Sequence, residues 1–308
     1  MRSGKPSGDR DPEEIGEQGR FSSRHPLYFG PMNVDPVHLA DALWQARVNR
    51  NPIVPLTTSC PGITLEEAYA ISRLNFERRL KSTGVKSIGR KIGLTSLAVQ
   101  KQLGVGEPDF GFLTSDMQLS DQGVLPAGDL IQGRAEGEVA FFLARDLTMS
   151  DPTFEDVVRA TDSVSVCIEI IDSRVAEWKI QIQDTVADNA SSSHFVLGAK
   201  KVKLQGLDLR MAGMKLTRNG EVESTGVGAA CLGNPVSAMQ WLARRMAGLG
   251  DPLRAGDLIL SGAYGPVIPL RAPLEGERGD RIEVAISGLG EVGFSFGEPS
   301  GVRPARKG

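Results

Sequence analysis

The chain is poor in the residues that most often carry chemistry. Its 308 residues include only three cysteines and three histidines. Cys60, Cys167 and Cys231 are odd in number and show no CxxC spacing. That argues against a disulfide framework or a cysteine zinc site and fits a reducing, cytoplasmic setting. Cys167 and Cys231 sit among apolar or small neighbours and read as core-packed thiols. His25 lies in a polar N-terminal stretch, His38 in a helical pattern and His194 just before an apolar run, so His194 reads as packed or cap-like. No run of about 18 apolar residues is present, so no membrane span is expected. Charge of one sign is also missing. Lys plus Arg total 35 against 38 Asp plus Glu, a net charge of −3, which gives no reason to expect nucleic acid or an acidic membrane as partner. Neither GxxxxGK[ST] nor a strand–GxGxxG–helix pattern occurs, and the glycines of Gly226–Gly233 fit no phosphate-binding loop, so no nucleotide cofactor is expected.

The rest is ordinary for a globular chain, with 40% hydrophobic and 24% charged residues. Residues 1–33 read as a disordered tail, rich in charge and glycine and without the apolar region of a secretory signal. Its acids Asp9, Asp11, Glu13, Glu14 and Glu17 do not suit a transit peptide. Residues 34–85 read as a helical part. Leu39, Leu43 and Trp44 form one stripe of a helix over 37–49, and Thr64 with Glu67 forms a capping-box pattern. Residues 86–300 read as β-rich. Strands are expected over 87–94, 139–143, 163–171, 257–261 and 281–296, and a hairpin over 211–225 turns at Asn219-Gly220. A helix is expected over 235–248, with Pro at its first turn. The fold class is α+β.

The most informative stretch is Ala135-Glu136-Gly137-Glu138-Val139-Ala140-Phe141-Phe142. On a strand, residues two apart share a face, so Glu136 and Glu138 would project together. Like charges side by side in an apolar strand resist burial. Glu169 lies in a second apolar run, Val166-Cys167-Ile168-Glu169-Ile170-Ile171. Three acids with no nearby histidine, and with the neighbouring Cys167 read as a core-packed thiol, form a hard, all-oxygen donor set that favours Mg²⁺ or Mn²⁺ over Zn²⁺. The alternative is that Glu136 and Glu138 flank a strand edge and pair with Arg134 or Arg174. Lys91 sits among apolar neighbours, where burial would lower its pKa and suit it to proton exchange near neutrality. Asp109, in Glu107-Pro108-Asp109-Phe110-Gly111, is a candidate partner acid or base. By residue type alone, either one also fits a surface charge. The polar run from Gln183 to Ser192 reads either as a capped loop or as a pocket wall.

These same segments carry a resemblance. GRKIGLTSLAVQKQLGVGEPDFGFLTSDM (Gly89–Met117), RAEGEVAFFLARDL (Arg134–Leu147) and IEIIDSRVAEWKIQIQDTVADNASS (Ile168–Ser192) resemble the 2-keto-4-pentenoate hydratase family of the fumarylacetoacetase-like superfamily. The likeness continues through Phe195–Gly198, Gly226–Ala243 and Gly256–Pro269, and spans nearly all of the chain from Asp35 to Phe296. It implies a mixed β-sandwich or barrel-like core with a smaller helical N-terminal part. It implies a divalent metal, Mg²⁺ or Mn²⁺, held by Glu136, Glu138 and Glu169. It also implies that Lys91 and Asp109 act at the active site, and that Ser191 and Ser261 lie beside the substrate. The implied reaction adds water to a small 2-hydroxy or 2-oxo acid, 2-hydroxypenta-2,4-dienoate, to give 4-hydroxy-2-oxopentanoate in aromatic meta-cleavage catabolism. Relatives are usually homo-oligomers, and an aldolase or decarboxylase is an expected pathway partner.

Three departures stand out: the extra tail, Ser193-His194 where relatives often carry glycine, and an apparent insertion over Pro273–Arg278. The second is expected to alter the pocket beside Ser191. A 4-oxalocrotonate decarboxylase shares most of these motifs, although Leu260-Ser261-Gly262-Ala263-Tyr264-Gly265-Pro266 looks more like the hydratases. An acylpyruvate-type C–C hydrolase would need a His–Glu pair, which His194 does not offer in sequence. An inactive partner subunit would not need all three acids.

Overall fold

The computed structural model describes residues 35–103, 105–273 and 279–297. The expected tail over residues 1–33 and most of the apparent insertion lie outside them.

The helical part starts with α1 (Pro36–Asn49), where the Asp35 carboxylate accepts from the backbone N–H groups of Val37 and His38. A short α2 (Leu56–Ser59) follows, then α3 (Leu65–Leu80). Thr64 and Glu67 close the expected capping box at the start of α3. Strands β1 (Ser87–Gly93) and β2 (Asp109–Thr114) flank α4 (Leu97–Leu103). The short β3 (Gln118–Leu119) and β4 (Val124–Leu125) lead to two long strands, β5 (Arg134–Leu143) and β6 (Thr161–Ile171), joined through α5 (Phe154–Ala160). Next come α6 (Ile182–Ala187), β7 (Ser192–Leu197), β8 (Gly213–Arg218), β9 (Glu221–Val227) and α7 (Pro235–Gly248). The described chain closes with β10 (Leu258–Leu260), β11 (Ile268–Pro269), β12 (Asp280–Ile286) and β13 (Gly290–Phe296).

The strands form two sheets, and the fold is α+β. The larger, mixed sheet runs β2-β1-β10-β5-β6-β7-β3, with β11 also paired to β5. The smaller runs β4-β13-β12-β8-β9 and packs on β6 through β12 and β13. The β8–β9 turn has φ 52° at Asn219 and 86° at Gly220, as a type I′ turn demands. One continuous apolar core reaches from Leu39 of α1 to Phe296 of β13, so the helices form a layer of the same core. Tyr69 and Phe76 of α3 stack on Phe110 and Phe112 of β2, with ring centroids 4.4 and 4.3 Å apart. Among the described residues no helix is long and apolar enough to cross a membrane.

β5 differs most usefully from expectation. It begins at Arg134, five residues before the apolar run that marks it in sequence, so both Glu136 and Glu138 lie within a paired strand. Hydrophobicity underestimates this strand because its first half carries the charges.

β1 is held from behind by a buried ionic contact. The Arg90 side chain is 1% exposed, and its guanidinium lies 2.6 Å from Asp251 and 4.7 Å from the centre of the Phe112 ring. Arg73 of α3 approaches the same carboxylate at 3.5 Å. Breaking a buried pair from one side strands the remaining charge. Asp251→Ala is therefore expected to lower unfolding free energy by about 3 kcal/mol, read as a lower urea midpoint at unchanged slope.

Candidate active site

The pairing of β5 with β6 assembles the acids. Glu136 lies opposite Glu169 and Glu138 opposite Cys167, so all three carboxylates share one sheet face. One oxygen from each lies within 4.8 Å of the others. Glu138 and Glu169 are fully buried. Neither arginine that might have neutralised them does so. Arg174 is bound to Asp188 and to the backbone carbonyls of Asp172 and Asp188, while the Arg134 guanidinium sits 4.3 Å from the centre of the Trp178 ring.

The protein satisfies part of each buried carboxylate. Gly262 N–H donates to Glu138 Oε2 at 2.9 Å, and Ser192 Oγ donates to Glu169 Oε1 at 2.8 Å. Lys91 Nζ lies 3.4 Å from Glu169 Oε2. Glu138 Oε1, Glu169 Oε2 and Asp109 Oδ1 are buried without a hydrogen-bond partner. Orphaned buried carboxylate oxygens converging on one point are what a hard divalent cation requires, and the residues present fit Mg²⁺ or Mn²⁺. Burial, then the nearby Glu169, pushes Glu136 up to about 7. Burial, Glu169 and Glu136 raise Glu138 well above the usual carboxylate range.

Lys91 of β1 and Asp109 of β2 reach towards the acids from across β10. Gly93 lies opposite Asp109 and Lys91 opposite Gly111 in the β1–β2 pairing, so both side chains share one face. Gly93 leaves the room they need, since a Cβ there would come within 2.2 Å of Asp109 Oδ1 and 3.2 Å of Lys91 Nζ. Burial chiefly pushes Asp109 up to about 6; Lys91 opposes that rise and Glu169 adds to it. The expectation of a depressed Lys91 is reversed by its spatial neighbours. Burial does pull its pKa down, but Glu169, Asp109, Glu136 and Glu138 together raise it above the ordinary lysine value. The anionic neighbours favour the charged ammonium, the form that can donate a proton.

A left-handed turn supplies the next wall. Asn189, Ala190 and Ser191 have φ of 58°, 50° and 54° in succession, a conformation costing roughly 1–2 kcal/mol per residue outside glycine. The Asn189 amide holds the turn by bridging both backbone groups of Phe112, accepting from its N–H at 2.7 Å and donating to its carbonyl at 3.0 Å. Gly111 permits this approach, because a Cβ there would meet the Asn189 carbonyl oxygen at 2.6 Å. Ser191 then faces the cavity with its hydroxyl 3.2 Å from Thr185 Oγ1, while Ser192 turns to Glu169.

Ser261 is not at the cavity. It is fully buried, and its hydroxyl accepts from Val139 N–H and donates to the Gly262 carbonyl, both at 3.2 Å. It braces the loop whose next N–H reaches Glu138. His194 lies opposite Ile170 on β6, one residue from the position facing Glu169, and so points to the other side of the sheet. The Ser193-His194 departure therefore does not border Ser191's cavity; Ser193 Oγ and His194 Nδ1 lie 2.9 Å from each other. Burial pushes Cys231 up to about 12 and raises Cys167, as inert core thiols should behave. Sequence reasoning missed Gly93, Ser192, Gly262 and Trp178. Only Gly93 carried a local signal, as a glycine inside a strand pattern.

Glu136, Asp109 and Lys91 open into a cavity of about 650 Å³, with Glu138 and Glu169 buried behind them. Lys91, Asp109, Glu136, Thr185 and Ser191 contribute polar groups, and Leu94, Ile171, Trp178, Ile180, Val227 and Pro266 much of the apolar wall. Few convergent polar groups in a mostly apolar cavity are the usual form of a small-molecule site.

The family model for the fumarylacetoacetate (FAA) hydrolase C-terminal region matches residues 106–296. A 2-keto-4-pentenoate hydratase from Paraburkholderia xenovorans is 49% identical over 257 residues, 83% of this chain and 93% of the relative. A 2-hydroxyhexa-2,4-dienoate hydratase from Comamonas testosteroni is 44% identical over 258 residues, 83% of this chain and 95% of the relative. Among solved structures, a 4-oxalocrotonate decarboxylase from Pseudomonas putida, complexed with magnesium and adipate, superposes with a TM-score of 0.80 at 34% identity. That match covers 86% of this chain and all (100%) of the other.

Raised carboxylate pKa values give the site a definite pH signature. A carboxyl whose folded pKa lies above its unfolded value costs stability as pH rises from that unfolded value through the folded one. For Glu136 this window runs from the ordinary 4.5 to about 7. A divalent ion offsets the cost and must displace the protons to bind. The rise in Tm caused by Mn²⁺ over EDTA is therefore expected to grow from pH 5.5 to pH 8. A rise independent of pH in thermal melts would remove these acids from the ligand set.

Proposed function

The chain belongs to the 2-keto-4-pentenoate hydratase family, within the fumarylacetoacetate hydrolase C-terminal fold, and we propose that it is a divalent-metal-dependent hydro-lyase acting on 2-hydroxypenta-2,4-dienoate. The reading rests above all on the clustered carboxylates of Glu136, Glu138 and Glu169, two of them with a buried oxygen that lacks a hydrogen-bond partner, set beside Lys91 and Asp109 at an apolar cavity. The hydratases at 44–49% identity supply the substrate class.

Glu136, Glu138 and Glu169 would hold Mg²⁺ or Mn²⁺, which when bound would stabilise negative charge developing on the substrate's 2-oxygen. Asp109, with Oδ1 unpartnered and a pKa raised to about 6, takes the proton of the 2-hydroxyl. Lys91 Nζ delivers a proton to C5, which gives the 2-oxo-3-enoate. Water then adds its hydroxyl at C4 and a proton at C3, and the product is 4-hydroxy-2-oxopentanoate. Ser191 and Thr185 offer hydroxyls to the bound acid, while the apolar wall excludes bulk water from the dienol. Ser261 acts indirectly, by bracing the Gly262 loop against Glu138. The product is a 4-hydroxy-2-oxo acid, suited to a following retro-aldol cleavage.

A C–C hydrolase mechanism finds no support in the site. Of the described histidines, His194 faces away from the acids and His38 lies on α1.

The test follows loss of the dienoate ultraviolet absorbance with Mg²⁺ or Mn²⁺ and again with EDTA. Rapid metal-dependent loss with 4-hydroxy-2-oxopentanoate as product is expected; CO₂ release from 2-oxo-3-hexenedioate without hydration would instead make the protein a decarboxylase. In the same assay Glu138→Gln is expected to weaken metal binding and activity together. Lys91→Met is expected to keep the metal while lowering kcat by roughly a hundred- to ten-thousand-fold. Unchanged metal affinity in Glu138→Gln would remove Glu138 as a ligand.

A further inference from the structure

We infer that Trp178 selects for substrates whose end remote from the metal acids is uncharged, by walling off Arg134 from the cavity. The inference rests on the hydratase reading of the site and goes beyond it to what the rest of the cavity accepts.

Arg134 stands two residues before Glu136 on β5 and therefore on the same sheet face as Glu136 and Glu138. Its cross-strand neighbour is Ile171, which lines the cavity, and Pro269 flanks it on β11. The guanidinium makes no ion pair with any described carboxylate; its contact is the face of the Trp178 ring, 4.3 Å from guanidinium carbon to centroid. Trp178 in turn lines the cavity, and Arg134 does not. The indole is tied down, with Nε1 donating to the Gln132 carbonyl at 3.0 Å. Its backbone is left-handed, with φ 57° at Glu177 and 55° at Trp178. Such strain persists only where the surroundings enforce it.

Lys91 is the only basic side chain among the described residues lining the cavity, and it is engaged with the acids. A second carboxylate on a substrate would leave water without finding a cation, against Ile171, Ile180, Val227 and Pro266. An alkyl or vinyl end meets no such penalty. Arg134 lies on this same sheet face, outside the cavity lining, with its guanidinium against the Trp178 ring that does line the cavity.

The experiment compares two ligands that keep the 2-oxo acid head but cannot be hydrated, 2-oxohexanoate and its dicarboxylate counterpart 2-oxoadipate. Each is titrated calorimetrically into the Mg²⁺-loaded full chain. The wild type is expected to prefer 2-oxohexanoate by tens-fold, on the order of what a misplaced polar group costs in a fitted site. Trp178→Ala is expected to cut that preference at least about tenfold, and the double variant with Arg134→Met to restore it. Arg134→Met alone is expected to leave the preference unchanged, because the indole already masks the charge. Trp178→Leu serves in the same comparison if the alanine variant does not fold. Equal wild-type binding of the two ligands, a preference untouched by the tryptophan substitutions, or a gain for 2-oxoadipate that survives loss of Arg134 would each overturn the inference while leaving the hydratase reading standing. Binding of neither ligand by folded, metal-loaded protein would overturn both.

Discussion

Four carboxylates and one ammonium are crowded into the interior of a sheet, and the rest of the site answers to that charge imbalance. Glu136, Glu138 and Glu169 meet because β5 and β6 pair in one particular register, and Asp109 and Lys91 join them from β2 and β1. A shift by one residue would turn the acids to opposite faces and dissolve the cluster. Buried like charges are costly unless compensated. The chain compensates part of the charge with Gly262 N–H, Ser192 Oγ and Lys91 Nζ, and leaves three oxygens open. A divalent cation would complete the balance, which links its binding to the ionisation of these acids.

Bringing backbone and side chains this close requires space and strain in specific places. Gly93 and Gly111 provide the space, one for the Asp109 carboxylate and one for the Asn189 carbonyl. The left-handed run over Asn189–Ser191 carries the strain, and the Asn189 amide anchors it to β2. Behind β1, the Arg90–Asp251 contact and the aromatic stacking of α3 on β2 link the helical layer to the same strands that carry Lys91 and Asp109. Helices that never touch the acids therefore help set where the acids' neighbours stand.

Hydration and decarboxylation of these acids both call for an enolate stabilised at the same metal, which is consistent with a hydratase family and a decarboxylase structure sharing this fold. What separates such enzymes must lie where the substrates differ, away from the metal end. In this chain most of the cavity wall is apolar, and the Arg134 guanidinium meets the Trp178 ring outside the cavity lining.

The local sequence carried a good deal on its own. The Glu136-Gly137-Glu138 spacing, the isolated Glu169 in an apolar run, the Thr64–Glu67 capping box and the Asn219-Gly220 turn are short-range patterns whose meaning follows from strand and helix period. The family likeness, written across contiguous segments, brought Lys91, Asp109 and Ser191 to the same site. Other features depend on partners distant in the chain. Ser191 and Ser192 are indistinguishable in a serine run until a left-handed turn sends one to the cavity and the other to Glu169. Ser261 looked like a substrate contact until its hydroxyl was found bridging Val139 and Gly262. Lys91 looked like a lysine with a lowered pKa because its sequence neighbours are apolar, whereas its spatial neighbours are four acids. Strand period alone determined which side chains share a face; only tertiary pairing decided which faces meet, because charge, burial and hydrogen bonding act through distance in space and not along the chain.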